Sequence, residues 1–156
     1  MHSQHIKQRD IRKITPDAFI FAFVRNPYDR LISCYRNKVI NPSLTKNIFA
    51  CYDVKAEDSF ETFVQKICDL DDLESDRHFR SQSWFLYNGE NLLADFVGRF
   101  ENLEQDWKKP RRSFKFGAIP HNNASGSIEF EINPRTKNLI QLRYSSDFEN
   151  FYTDVY

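Results

Sequence analysis

The chain has 156 residues, the usual length of one globular domain, and we predict a single domain over residues 1–156. With 40% hydrophobic and 28% charged residues, the composition excludes a disordered or collagen-like protein. The charges cancel over the whole chain but not along it. Residues 1–46 carry a net charge of +6, residues 47–106 carry −9, and residues 107–156 carry +3. Two basic segments around an acidic one suit a small-anion site better than a nucleic-acid surface.

The first part of the chain predicts a helix, a strand and a second helix. Ile6–Ile14 has the pattern of a basic helix that ends before Pro16. The next segment, Phe19–Val24, is apolar on both faces, as is typical of a central strand in a parallel sheet. Asn26 can then cap a helix whose first position is Pro27. These elements predict a strand, a tight turn and a helix in direct succession.

The rest of the chain continues to alternate between the two kinds of element. Asp58 and Glu61 resemble a capping box at the start of a helix. Later segments predict a helix over 79–87, a short buried strand over 94–97, helical turns over 101–108, and a helix after Asn133 and Pro134. Strands separated by helices indicate an α/β layered fold with a mostly parallel sheet.

Arg25 and Ser33 form the candidate anion site of this pattern. In open α/β sheets, ligands bind beyond the carboxyl ends of strands, where helix N-termini carry a partial positive charge. Arg25 lies at such a place, and a guanidinium can hold a phosphate by two parallel hydrogen bonds. Ser33 lies a little over two helical turns further on, away from the apolar stripe. From spacing alone, a surface arginine and a serine without a role explain the pattern equally well.

The literal sequence of Phe21–Tyr35, FAFVRNPYDRLISCY, resembles a known motif. It is similar to the strand, loop and helix by which sulfotransferases, especially the carbohydrate sulfotransferases and their bacterial counterparts, bind 3′-phosphoadenylyl sulfate (PAPS). In that family the Arg and Ser of the motif contact the 3′-phosphate, which implies those roles for Arg25 and Ser33. Further segments that resemble the family follow in its order at 76–82, 95–106 and 119–125, and then at Tyr144 and 147–149.

The resemblance implies a fold and an activity. The expected fold is a three-layer α/β sandwich of the P-loop NTPase-like type, and the expected activity is transfer of a sulfuryl group from PAPS to a hydroxyl of a carbohydrate, without a metal. Members usually carry a Gly/Lys-containing loop after the first strand that holds the 5′-phosphosulfate. None of the four glycines of this chain belongs to such a loop. We therefore expect an N-terminally truncated domain whose missing strand and phosphosulfate loop are encoded upstream of Met1.

Further residues are candidates for the same site. His5, or less favourably His2, aligns with a family histidine and is the expected base for the hydroxyl proton. His78 and Gln82 are four residues apart and could share a helical face toward the acceptor, although capping or inter-helix bonding explains them as well. Asn122 lies in a turn after Pro120, where it could approach the nucleotide or the acceptor, but asparagine is common in turns without a function.

The sequence leaves an alternative function and the cellular location open. The alternative function is a remnant domain that binds adenosine 3′,5′-bisphosphate or an anionic glycan without turnover. Cys34, Cys51 and Cys68 are an odd number without metal-like spacing, so reduced thiols are expected. They favour the cytoplasm, whereas an anchor upstream would indicate membrane association or the Golgi lumen. No nucleic-acid partner and no membrane segment within the chain are expected.

Overall fold

The computed structural model describes residues 10–40, 49–114 and 131–153. The chain divides into two compact units, each formed by two stretches of sequence. The first unit comprises Met1–Val24 and Gln82–Asn123, and the second comprises Arg25–Ser81 and Ala124–Tyr156. Within the described ranges, no helix combines the length and the apolar character that crossing a membrane requires.

Helices and strands are mixed along the chain, which confirms an α/β fold. The helices are α1 (Ile11–Ile14), α2 (Pro27–Tyr35), α3 (Phe60–Cys68), α4 (Gln82–Leu86), α5 (Leu103–Asp106), α6 (Lys108–Phe114), α7 (Pro134–Arg143) and α8 (Ser145–Phe151). The strands are β1 (Phe21–Val24), β2 (Tyr87–Asn88), β3 (Asn91–Leu92) and β4 (Phe96–Arg99). A π-helical turn over Arg36–Ile40 continues α2, and 3-10 turns lie at Ala50–Tyr52 and Phe100–Asn102.

A small parallel sheet forms the centre of the first unit. Strands β1 and β4 run in the same direction, with Phe21 opposite Phe96, so the parallel pairing predicted for the apolar segment is confirmed. Its predicted burial is wrong for most of the strand. Val24 is buried, but Phe21 and Phe23 are half-buried, with their ring centroids 5.8 and 6.1 Å from that of Trp107. Among the described residues, β1 pairs with β4 alone. A strand with one neighbour is covered less than the central strand of a larger sheet.

Gly98 allows a close approach within this sheet. A Cβ atom at Gly98 would lie 2.5 Å from Cε1 of Phe23 and 3.0 Å from Cβ of Asp106, so a side chain has no room there. The carboxylate of Asp106 in turn accepts the backbone N–H of Arg99 at 2.7 Å. The missing side chain therefore lets β1 and α5 pack directly against β4.

Arg12 connects α1 to the chain segments beside the sheet. Its Nη2 lies 2.7 Å from Oδ1 of Asp95, and its Nε donates to the carbonyl of Leu93 at 3.1 Å. The other carboxylate oxygen of Asp95 accepts the backbone N–H of Ile20 at 2.7 Å. These bonds hold the pKa of the Asp95 carboxyl below its usual value.

Helices α2, α3 and α7 pack together in the second unit. The apolar stripe predicted for α3 is confirmed, because its four members are buried: Phe60, Phe63, Val64 and Ile67. Phe63 is fully buried, and its ring meets those of Tyr35, Phe49 and Phe79 at centroid distances of 5.6 to 6.5 Å. This aromatic cluster is the core of the unit.

The helix caps agree with the sequence in two cases out of three. The side chains of Asn26 and Asn133 accept the backbone N–H groups of Tyr28 and Thr136, each ahead of a proline at the first helical position. The predicted capping box at Asp58 is wrong by one residue, because Ser59 caps α3. Asp58 instead accepts the backbone N–H of Lys55 and pairs with Lys66 at 2.8 Å.

Candidate functional site

Arg25 lies directly between the end of β1 and the beginning of α2. The Asn26 side chain accepts the Tyr28 N–H at 3.0 Å, and the Arg30 N–H donates to the Asn26 carbonyl at 2.9 Å, which fixes the first turn of the helix. Pro27 sets the backbone angle of the first helical position. Arg25 is half-buried and lies just ahead of the positive N-terminus of a nine-residue helix.

Ser33 lies on the side of α2 that does not enter the core. Leu31 and Tyr35 of the apolar stripe are buried, whereas Ser33 is half-buried. Asp29 and Asn37, four residues to either side of Ser33, are exposed, which agrees with the predicted place of the serine on a different face from the stripe. Oγ of Ser33 accepts a long hydrogen bond of 3.4 Å from Nδ2 of Asn37. Within the described part of the chain, no acceptor is recorded for the hydroxyl hydrogen. Ser33 can therefore donate that hydrogen to a phosphate oxygen.

Arg25 and Ser33 thus fit an anionic group such as a phosphate. A guanidinium supplies a charged fork, a serine on the solvent side of the same helix supplies a neutral donor, and the helix N-terminus adds partial positive charge. Asp29, in the first turn, is exposed and balances the helix dipole.

His78 lies in a turn and not on a helix. Oδ1 of Asp76 accepts both the backbone N–H of His78 at 2.9 Å and its ring Nδ1–H at 2.6 Å. The Asp76 carbonyl accepts the N–H groups of Phe79 and Arg80, which closes the turn. Burial of the Asp76 carboxyl raises its pKa, but these hydrogen bonds and the nearby positive charges outweigh burial and leave it below the usual value. Asp76 is therefore an ionised partner for the imidazole.

His78 and Gln82 do not share a helical face, and this part of the prediction is wrong. Helix α4 begins at Gln82, and the turn that contains His78 precedes it. The physical reason is the Asp76 side chain, which takes the His78 N–H and so favours an Asx turn over a helix. Gln82 is buried, with 8% of its surface exposed.

Two arginines of neighbouring helices and one of the loop itself hold the segment 71–81, which contains the His78 turn, and sequence reasoning missed all of their contacts. Arg30 of α2 donates to the carbonyls of Arg80 and Arg77 at 2.6 and 3.1 Å. Arg80 donates to the Ser75 carbonyl at 2.6 Å, and Arg143 of α7 pairs with Asp72 at 2.7 Å. An Asp two residues before a His is a local signal for the Asx turn, but nothing in the sequence indicates these long-range partners.

The burial of two thiols supports their interpretation as reduced, unreactive cysteines. Burial raises the pKa of Cys34 and of Cys68 to about 12, so both stay protonated at neutral pH. All three cysteines are free. Among the residues that the structure describes, no three His, Cys, Asp or Glu side chains cluster as metal ligands would.

Asp72 gives the turn a pH-dependent stability. Burial raises the pKa of its carboxyl, but bonds from Ser81 and Arg143 outweigh this and lower it below the ordinary 3.8. A carboxyl whose pKa is lower in the folded state stabilises the fold above its unfolded pKa and loses that contribution as the pH falls through the folded pKa. We expect Asp72→Asn to lower the free energy of unfolding at pH 7 by about 1–3 kcal/mol.

Urea unfolding of Asp72→Asn and wild type at pH 7 and at pH 3 or below measures this effect. The difference between the two proteins should shrink at the lower pH. The exposed Asp17→Asn variant is the control and should match wild type at both values. An Asp72→Asn difference that stays constant with pH would contradict the assignment.

Two predicted site residues, His5 and Asn122, lie outside the described residues, as does His2. Among the described candidates, Arg25 precedes α2 and Ser33 lies on it. His78 lies in the turn whose carbonyls accept hydrogen bonds from Arg30 of the same helix. Helix α2 thus carries Ser33 and also contacts the His78 turn through Arg30.

Comparison with known proteins bears on what this arrangement does. No curated protein and no solved structure matches the chain. A family model described as the sulfotransferase family matches residues 1–153. Since the match extends over nearly the whole chain and includes the Arg25 and Ser33 motif, this protein belongs to the sulfotransferase family.

Proposed function

We propose that the protein uses PAPS to transfer a sulfuryl group to a hydroxyl of a carbohydrate, with Arg25 and Ser33 holding the 3′-phosphate of the donor. Membership of the sulfotransferase family supports sulfuryl transfer as the chemistry. The observation that carries the nucleotide assignment is the joint placement of Arg25 ahead of α2 and of Ser33 on the solvent side of that helix.

The 3′-phosphate is the part of PAPS that these residues fit best. A dianionic phosphate can take two parallel bonds from the Arg25 guanidinium and one from the Ser33 hydroxyl, whose hydrogen has no recorded acceptor in the described ranges. The 3′-phosphate distinguishes PAPS from the adenosine 5′-nucleotides. Binding of the 3′-phosphate by Arg25 and Ser33 would select PAPS as the donor and would hold it in a fixed position relative to the acceptor.

PAPS supplies the activated sulfuryl group, and the protein supplies position, charge and a proton acceptor. In-line displacement at sulfur resembles phosphoryl transfer, so the residues of the chain must align the two substrates and balance developing charge. His78, Gln82 and Asn122 stay predicted acceptor-binding residues, and His5 stays the predicted base. Because Gln82 is buried, little of its side chain is accessible to an acceptor.

The finer features of the fold and of the location are part of the same proposal. A parallel pairing of β1 with β4, beside helices, is compatible with a three-layer, P-loop NTPase-like sandwich formed by one domain over residues 1–156. The buried, protonated thiols of Cys34 and Cys68 agree with the predicted cytoplasmic location.

Calorimetric titration with two nucleotides tests the nucleotide assignment. We expect adenosine 3′,5′-bisphosphate to bind roughly 500-fold more tightly than adenosine 5′-monophosphate, because a bidentate charged contact and a hydroxyl bond together contribute about 3.7 kcal/mol. Equal affinities would contradict a 3′-phosphate site. Mass spectrometry of sugars incubated with PAPS then separates a transferase from the alternative, a remnant domain that binds the bisphosphate without turnover.

A further inference from the structure

Ser33 of α2 and Asn37 of the turn that follows it form a side-chain pair. Nδ2 of Asn37 donates to Oγ of Ser33 at 3.4 Å, between residues that are neighbours on the helix surface. Asn37 is exposed and belongs to the π-helical turn over Arg36–Ile40. Within the described ranges, neither side chain has another recorded hydrogen-bond partner. The hydrogen of the Ser33 hydroxyl is therefore available to a ligand.

The direction of this bond restricts the direction of the Ser33 hydroxyl. Its oxygen accepts the amide hydrogen through a lone pair, so its own hydrogen points away from Asn37. Asn37 lies on the C-terminal side of Ser33, whereas Arg25 lies on its N-terminal side, just ahead of α2. The pair therefore leaves the hydroxyl hydrogen on the side of the serine where Arg25 lies.

A serine within a helix also has a competing acceptor in its own helix. Serine hydroxyls commonly donate to the backbone carbonyl four residues earlier, which for Ser33 is the carbonyl of Asp29. A hydroxyl held in that way would have no hydrogen left for a phosphate. In the part of the chain that the structure describes, no such bond is recorded for Ser33. The contact with Asn37 holds Oγ in a position where the hydrogen is not taken by the backbone.

Accepting a hydrogen bond also makes the Ser33 hydroxyl a better donor. Hydrogen bonds in a chain polarise one another, so a hydroxyl that accepts from an amide donates more strongly to an anion. The chain would run from Nδ2 of Asn37 through Oγ of Ser33 to an oxygen of the phosphate. Because the amide is neutral, it strengthens this one bond without attracting other anions to the surface.

We propose that Asn37 is a positioning residue of the nucleotide site, which directs the Ser33 hydroxyl toward the 3′-phosphate and so helps to select a 3′-phosphorylated nucleotide. This inference rests on the proposed function, and specifically on the binding of the 3′-phosphate by Arg25 and Ser33. Asn37 acts through Ser33, so its contribution to binding exists only while the serine hydroxyl is present.

A double-mutant cycle in nucleotide affinity tests this dependence on Ser33. Calorimetric titration gives the Kd of adenosine 3′,5′-bisphosphate for wild type, Ser33→Ala, Asn37→Ala and the double variant. We expect Asn37→Ala to weaken binding about threefold in the wild-type background, which is part of what one neutral hydrogen bond contributes. In the Ser33→Ala background the same change should alter Kd by less than about 1.5-fold. The Kd of adenosine 5′-monophosphate should stay the same in all four proteins.

Replacing Asn37 with Asp tests the polarity of the bond at nearly constant shape. A carboxylate can only accept, so it would take the hydrogen of the Ser33 hydroxyl and would also repel the phosphate. We expect Asn37→Asp to weaken binding of the bisphosphate at least tenfold at pH 7. The matched control is Asn138→Asp, which adds the same charge at an exposed position of α7 and should leave Kd within twofold.

The outcomes distinguish this inference from the proposed function. If wild type prefers the bisphosphate, but Asn37→Ala costs the same affinity in both serine backgrounds or none in either, Asn37 has no positioning role and the site of Arg25 and Ser33 stands. Equal losses for Asn37→Asp and Asn138→Asp would likewise refute the role of Asn37, because overall charge would explain both. A wild type that binds the two nucleotides equally refutes the 3′-phosphate site itself, and the role of Asn37 with it.

Discussion

Replacing Arg25 with Ala is expected to weaken binding of adenosine 3′,5′-bisphosphate by roughly 100-fold, or about 2.8 kcal/mol. The guanidinium offers two parallel charged hydrogen bonds to one phosphate, and its loss leaves that phosphate with the helix N-terminus and one neutral donor. Calorimetric titration gives the change in Kd directly. The affinity for adenosine 5′-monophosphate should stay the same, since that nucleotide has no 3′-phosphate.

Three further variants distinguish the geometry of the guanidinium from its charge, from the Ser33 hydroxyl and from the overall charge of the protein. Arg25→Lys keeps the charge but loses the planar fork, and we expect an intermediate loss of about tenfold. Ser33→Ala removes one neutral donor, which corresponds to about 1 kcal/mol or roughly fivefold. Arg135→Ala removes an exposed arginine at the start of α7 and should leave Kd within twofold. An Arg135→Ala loss as large as that of Arg25→Ala would mean that only the overall charge matters.

The parts of the fold that depend on neighbouring residues could be predicted from the sequence. Asn26 with Pro27, and Asn133 with Pro134, set their helix starts through bonds that span two or three residues. The same local logic failed at Asp58 and Ser59, where either side chain can cap. Asp58 is taken by Lys66, eight residues further along the chain. A partner at that distance decides the cap, and the capping-box pattern does not contain it.

Burial of the apolar strand could not be predicted, because it depends on what packs against the strand. The alternation-free pattern of Phe19–Val24 indicates an apolar segment and parallel pairing, and β1 does pair in parallel with β4. It does not say how many strands or helices cover the two faces. Strands β2 and β3 escaped prediction for another reason, since each has two residues and no period to detect. Gly89, with a positive φ of 62°, marks their turn.

In the candidate site, too, features set by neighbouring residues were predictable and features set by distant residues were not. Helical spacing predicted Ser33 on a different face of α2 from the apolar stripe, and the exposed Asp29 and Asn37 on either side of the half-buried Ser33 agree with this. The position of His78 was not predictable from helical spacing, because an Asx turn with Asp76 competes with the helix and wins. The bonds from Arg30 to the carbonyls of Arg77 and Arg80 join residues nearly fifty positions apart. Only the packing of the second unit brings them together.

Replacing Phe63 with Ala is expected to give the largest loss of stability, about 3–5 kcal/mol. The side chain is fully buried among the rings of Tyr35, Phe49 and Phe79, and these come from three different segments of the second unit. Removing it leaves a cavity that rigid rings cannot fill. For a protein of this length, calorimetry should record a fall in Tm of about 10 °C or more.

The exposed Leu142 of α7 provides the matched control for this change. Leu142→Ala removes an apolar side chain that is 67% exposed and should stay within about 0.5 kcal/mol of wild type. Equal Tm values for the two variants would contradict the placement of Phe63 at the core.

Because α2 packs against α3, the Phe63→Ala variant also separates stability from binding. Adenosine 3′,5′-bisphosphate at 100 times the Kd measured for wild type should stabilise both wild type and variant by about 2.7 kcal/mol. A much smaller increase in the variant would show that the cavity displaces α2, and with it Arg25 and Ser33, before the unit unfolds.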